Sequence, residues 1–355
     1  MKLERIFENT DVDAILLMNS TEPHLDLSFF YLTGLKEGLF EGCVALATRD
    51  SLEVLVSSLE EESAKMEDFE ICVFKTKKER EKILREKLSQ FKRIGVNAVE
   101  LTYGDYLKLE KLTDAEFVDV SDSLKRTRVL KTEEELRRIR KACDIVSEVA
   151  ERIPELVFEG MREYELATEL SYLLRGKGAQ DAFTPIVCFG KNSSKPHHSP
   201  KDTKLKRGDF ILCDLGAKYE RYISDLTRTL FFKRISERQK KMYETVLSAQ
   251  REALRIVRHG VEAKKPHLKA REIIDSGEFK DTFIHGFGHS IGLSVHDGYA
   301  MNSEANFDLE EGMVFTAEPG VYLPDYGGVR IEDNILVKRE GVEVLTSASR
   351  EICVV

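Results

Sequence analysis

The sequence predicts two domains of different class, an α/β unit over residues 1–125 and an α+β unit over 126–355. Three observations carry this. At 355 residues the chain exceeds what one ordinary core organises. Its first third alternates short β-rich apolar runs with a helical pattern, whereas the remainder sets amphipathic helices apart from paired strand-like segments. Between them, SDSLKRTRVLKT (121–132) is polar.

In the first unit AILLMN (14–19), GCVALATRD with SLEVLVSS (42–58), EICVFKT (70–76) and RIGVNA (93–98) read as strands. KKEREKILREKLSQF (77–91) puts Ile83, Leu84, Leu88 and Phe91 at helical spacing. His24 and Asp26 lie close together, a pairing that reads as solvent-facing side chains rather than a catalytic couple.

The second unit opens with a capping box, Thr132 with Glu135, ahead of Leu136, Ile139, Cys143, Val146, Val149 and Ile153 at helical spacing. A second helix covers 162–175 and stops at Gly176 and Gly178. A third starts at Ser236 with Gln239 and runs through Met242, Val246, Leu247, Leu254 and Val257 to Gly260. TPIVCFG (184–190) is a strand leading into the loop KNSSKPHHSP. DFILCDLGAKYERYISDLTRTLFF (209–232) reads as two strands turning near Tyr219, and TAEPGVYLPDYGGVRIED (316–333) as a hairpin turning about Asp325. The two hairpins share a layout, as an internal repeat would.

Bulk properties exclude several functions. With 42% hydrophobic and 33% charged residues the chain has material for a real core. A net charge of −9 argues against nucleic-acid or anionic-membrane partners. No uncharged apolar run approaches the ~18 residues of a membrane-spanning helix. MKLERIFENT lacks the apolar core of a signal peptide. Six scattered cysteines without a CxxC pair point to reduced, buried thiols in a cytoplasmic protein.

The chemistry lies in two hairpins and one histidine-rich segment. In the first hairpin the expected turn at Tyr219–Glu220 sets Asp214 opposite Asp225; in the second, Glu318 falls opposite Glu332. Opposed residues on antiparallel strands have β-carbons about 4.5–5.5 Å apart. Four carboxylates buried among apolar neighbours repel one another, and Arg330 alone cannot neutralise them. Divalent cations can. Mostly oxygen donors with one imidazole, His289, suit Mn²⁺ or Co²⁺ at least as well as Zn²⁺. His285 and His289 are four apart, but the Glu that HExxH demands is missing. His296 is near enough in sequence to line the same cavity, and His197 and His198 occupy a proline-flanked loop suited to substrate contacts.

These residues resemble the pita-bread metallopeptidases, the family of Xaa-Pro aminopeptidase, prolidase and methionine aminopeptidase. The matching motifs are CDLGAKY, SDLTRT, HGFGHSIGL, AEPGVY and GGVRIED, in the family's order over about 130–355. The resemblance implies a pita-bread domain with antiparallel hairpins covered by helices, preceded by a creatinase-like N-terminal domain. It implies two divalent metal ions, Mn or Co before Zn or Fe, on Asp214, Asp225, His289, Glu318 and Glu332. Glu318, His296 and His197 become catalytic, and His285, Arg330 and His198 contact substrate. In one departure, His296 is followed by Asp297, Gly298 and Tyr299, where many members read His-Glu and a nearby proline. Another is the region around 262–282, which looks shortened.

The activity so implied is a dinuclear metallo-exopeptidase cleaving between an N-terminal residue and a following proline, aminopeptidase P-like, in a cytoplasmic homodimer. A dipeptidase of the prolidase type is the alternative. A non-catalytic peptide-binding module on the same fold is more remote, since such relatives have lost ligands.

Overall fold

The computed structural model describes residues 2–8, 10–65 and 69–355 and divides into two compact units, 1–128 and 129–355. The first unit is built on a six-stranded mixed sheet. Its strands are β1 (Ala14–Met18), β2 (Val44–Ala47), β3 (Leu52–Ser57), β4 (Glu70–Phe74), β5 (Arg93–Val96) and β6 (Glu116–Asp119), in the order β4-β3-β2-β1-β5-β6. Its helices are α1 (Lys2–Phe7), α2 (Leu27–Thr33), α3 (Glu61–Ala64), α4 (Lys77–Leu88), α5 (Tyr103–Leu109) and α6 (Ser121–Val129). Leu84 and Leu88 of α4 and Leu109 of α5 pack on Leu16, Val44 and Ile94, which is why the central strands are apolar throughout.

Helix α2 gives no sequence signal. LSFFYLT is apolar on every side, and all but Leu27 is buried, so it has no polar face to mark a period. Asp26 is its N-cap, accepting from Ser28 N at 2.8 Å and Asn97 Nδ2 at 2.9 Å. The solvent-facing reading therefore holds for exposed His24 but not for Asp26, which is 2% exposed.

The second unit contains α7 (Glu133–Ala150), α8 (Ile153–Leu156), α9 (Glu163–Gly176), α10 (Glu237–Leu254) and α11 (Lys264–Asp275). Both expected capping boxes form, Thr132 with Glu135 before α7 and Ser236 with Gln239 before α10. Each cap typically contributes about 1 kcal/mol. Helix α11 occupies the stretch that looks shortened in sequence.

The strands are β7 (Gln180–Asp181), β8 (Ile186–Phe189), β9 (Phe210–Leu215), β10 (Ala217–Tyr219), β11 (Tyr222–Ile223), β12 (Leu226–Phe231), β13 (Gly288–His289), β14 (Ala300–Met301), β15 (Val314–Ala317), β16 (Gly320–Leu323), β17 (Gly327–Arg330), β18 (Asp333–Lys338) and β19 (Gly341–Val344). Two halves share one plan. Ile211, Cys213 and Leu215 of β9 and Leu226 and Leu230 of β12 pack on Val146 of α7 and Leu170 of α9. Phe315 and Ala317 of β15 and Ile335 and Val337 of β18 pack on Val246 of α10 and Ile274 of α11. In both, antiparallel strands bury one alternating face on a helix pair and turn the other toward the carboxylates.

The first hairpin corrects the expected register. Its turn is Glu220–Arg221, one residue later than expected, with φ of 43° and 70°. Asp214 consequently opposes Thr227 rather than Asp225. A one-residue shift of the turn centre moves the pairing by two, so both acids keep the same face but become diagonal neighbours. The second hairpin has the expected register, with Gly320 opposite Arg330 and Ala317 opposite Asp333. Glu318 and Glu332 occupy the break between these two ladders. There buried Gln250 of α10 donates to Ala317 O at 2.9 Å, Ile331 O at 3.1 Å and Asp333 Oδ2 at 2.9 Å.

All six thiols are free, and Cys43, Cys143, Cys188 and Cys213 are buried. Among the described residues no helix is long and apolar enough to cross a membrane.

Candidate metal centre

Asp214 is on β9, Asp225 immediately precedes β12, His289 ends β13, Glu318 follows β15, and Glu332 immediately precedes β18. The two hairpins meet through Glu332 N donating to Thr227 O at 3.1 Å and Asp225 N donating to Asn334 Oδ1 at 2.9 Å. His289 reaches the same place because Gly288 lacks a side chain: a β-carbon there would lie 2.0 Å from Thr316 O. That approach lets His289 N donate to Thr316 Oγ1 at 3.0 Å.

The five residues line one cavity of about 900 Å³, together with His197, His285, His296 and Arg330. Asp225, His289 and Glu332 offer ligand atoms that all lie within 4.8 Å of one another. Glu318 Oε1 lies 3.3 Å from His289 Nε2, and Asp225 Oδ2 lies 3.7 Å from it. Asp214 is outside the tight group of three; its Oδ2 accepts from Arg330 Nη2 at 2.5 Å.

Burial and mutual repulsion push Asp225, Glu318 and Glu332 away from their ordinary behaviour. Desolvation, then the neighbouring Glu332 charge, raises the pKa of Asp225 well above the carboxylate range. Desolvation, then Glu318, does the same to Glu332, and desolvation raises Glu318. Burial lowers the pKa values of His285, His289 and His296, favouring neutral imidazoles. Buried Arg330, paired with Asp214, sets one permanent positive charge beside these four acids.

The sequence missed the groups that orient these acids. Thr227 Oγ1 donates to Glu332 Oε2 at 2.7 Å and accepts from Arg330 Nε at 2.9 Å. Thr316 Oγ1 donates to Glu318 Oε1 at 3.0 Å. Tyr322 OH accepts from Arg330 Nη1 at 2.9 Å and meets His285 Nε2 at 2.9 Å. His285 Nδ1 faces Gly286 O at 2.8 Å, so in the neutral ring Nδ1 donates there and Nε2 accepts from Tyr322. A signal existed: Thr227, Thr316 and Asn334 each stand two residues from a carboxylate, on its face of an extended strand.

Of the three residues expected to contact substrate, two line the cavity and one does not. His285 and Arg330 border the cavity but engage Tyr322, Gly286, Thr227 and Asp214 as above. His198 is absent from the cavity wall. It is buried, with Nε2 2.9 Å from Glu163 Oε2. Its neighbour His197 does line the cavity, and the His296 ring packs on His289 with centroids 4.3 Å apart.

The family model for metallopeptidase family M24 matches residues 137–339, and that for the creatinase/prolidase N-terminal domain matches 1–130. The chain belongs to metallopeptidase family M24. It is 36% identical to a Xaa-Pro dipeptidase of Pyrococcus horikoshii over 99% of this chain and 98% of the relative. It superposes on the prolidase from Pyrococcus horikoshii OT3 with a TM-score of 0.90 at 34% identity, covering 99% of each chain. It also superposes on an X-Pro aminopeptidase from Thermotoga maritima MSB8 with a TM-score of 0.93 at 32% identity, covering 99% of this chain and 100% of that one. The molecule is thus a metallo-exopeptidase with the pita-bread fold and a creatinase-type N-terminal domain.

The M24 centre fits divalent cations on its own chemistry. Among the described residues, buried Asp214 Oδ1, Asp225 Oδ1 and His289 Nδ1 have no hydrogen-bond partner. Without a cation Asp225, Glu318 and Glu332 are driven toward holding protons, as their raised pKa values express. Oxygen donors with a single imidazole are a set that divalent first-row ions accept.

Proposed function

We propose that this M24 peptidase is a Xaa-Pro dipeptidase whose two divalent cations are held by Asp214, Asp225, His289, Glu318 and Glu332, with Mn or Co favoured over Zn or Fe. The observation carrying the reading is the convergence of both carboxylate pairs and His289 on one cavity, whose wall includes apolar Phe183, Ile186, Ile284 and Val295 beside His197 and His296. The sequence leaned toward the aminopeptidase; the dipeptidase relative and the prolidase structure support the alternative better.

Cations bound there supply Lewis acidity, polarising a carbonyl and bringing water's pKa toward neutrality. Glu318, oriented by Thr316, takes the proton of the attacking water and delivers it to the departing proline nitrogen. Neutral His296, with His197, donates to the scissile oxygen as charge develops on it. Phe183, Ile186, Ile284 and Val295 receive the pyrrolidine ring and exclude water around it. An X–Pro bond is a tertiary amide without an N–H, so recognition through the carbonyl suffices.

The test is a substrate panel with added Mn²⁺ or Co²⁺: X-Pro dipeptides, X-Pro-Y tripeptides and dipeptides lacking proline. Dipeptides with proline should show kcat/KM about tenfold or more above the others, roughly the preference that 1.4 kcal/mol confers. Preferred cleavage of tripeptides would return the aminopeptidase reading. The family resemblance also carries a cytoplasmic homodimer, which light scattering of the purified protein checks.

A further inference from the structure

A dipeptide has a feature that a longer substrate lacks at the same place, a carboxylate on the proline itself. With the four acids balanced by the two proposed divalent ions, holding that further anion favours a cation not already committed. Lys195 and Arg330 are the lysine and arginine that line the cavity. Arg330 is engaged by Asp214, Tyr322 and Thr227. The Lys195 side chain is exposed, and among the described residues its ammonium has no hydrogen-bond or ion-pair partner.

The backbone beneath Lys195 is held firmly. His198 N donates to Lys195 O at 3.1 Å, closing a turn in which Pro196 takes the second position and presets φ. Lys195 and His197 both line the cavity from this turn. Buried Glu163 fastens it from behind: Oε1 accepts from Phe189 N and Asn192 Nδ2, both at 2.8 Å. Its Oε2 meets His198 Nε2 at 2.9 Å and accepts from Lys201 N at 3.0 Å. Only the side chain of Lys195 is left to adjust.

We propose that Lys195 receives the free C-terminal carboxylate of an X-Pro dipeptide and so sets the length of substrate the site prefers. This rests on the dipeptidase reading and deepens it. In an X-Pro-Y peptide the chain-end charge lies farther away by about 3.3–3.6 Å of extended chain. A neutral amide takes its place, and the ammonium gains no counter-charge.

The experiment compares kcat/KM for an X-Pro dipeptide and the same dipeptide as its C-terminal amide, in the wild type, Lys195→Met and Lys195→Arg. The wild type should prefer the free acid, and Lys195→Met should reduce that preference about 10- to 100-fold, chiefly through KM. Lys195→Arg should restore most of it. An acid-to-amide preference unchanged in Lys195→Met, with the wild type still favouring dipeptides, overturns the role of Lys195 alone. A wild type that prefers X-Pro-Y tripeptides overturns the dipeptidase reading and this inference with it.

Discussion

At the scale of single residues, the centre depends on side chains that never face the substrate. Thr227 is the clearest case, because one hydroxyl accepts from Arg330 and donates to Glu332. Replacing it by valine keeps the shape, removes the donor and leaves a buried carboxylate oxygen unsatisfied. Loss of a group that orients a ligand typically costs 10–100-fold in metal affinity. Thr227→Val should therefore weaken divalent-metal binding by about that factor in isothermal titration, and unchanged affinity would remove Thr227 from the role. The acids themselves were legible in the sequence because each stands in a short apolar run where a charge is conspicuous. The threonines were not, since threonine is common in strands for its own β propensity.

At the scale of elements, two features deserve a test of stability. Gln250 lies on the buried face of α10, between Val246 and Ala253, a polar residue in an apolar stripe. It repairs the ladder break that frees Glu318 and Glu332. Gln250→Leu should leave those carbonyls unpaired and lower unfolding stability by about 1–3 kcal/mol, read from denaturant unfolding. Asp26 caps α2 from a buried position, and desolvation raises its pKa from 3.8 to about 6. The native state then holds the proton more tightly than the unfolded chain, so stability from this group is full below about pH 4 and lost as pH rises through 6. Its loss amounts to about 3 kcal/mol. Asp26→Asn keeps an oxygen acceptor without the charge, so its stability relative to wild type should rise between pH 4 and 7. A difference independent of pH would contradict this. Element boundaries were legible where capping chemistry announced them, as at Thr132 and Ser236. The first hairpin's register was not, because Glu220–Arg221 makes a tight turn with positive φ at both residues and neither is the glycine or asparagine that signals one.

At the scale of the molecule, every residue lining the cavity belongs to 129–355, so the centre is assembled within one of the two units. Its two helix-backed halves each contribute a carboxylate pair, and among the described residues buried Arg330 is the cation that pairs with one of these acids, Asp214. Two divalent ions on that donor set, as proposed above, would balance the four acids. Dialysis of the purified chain against excess Mn²⁺, followed by removal of free ion and elemental analysis, tests this directly. The account predicts about two bound ions per chain; fewer than one would contradict it.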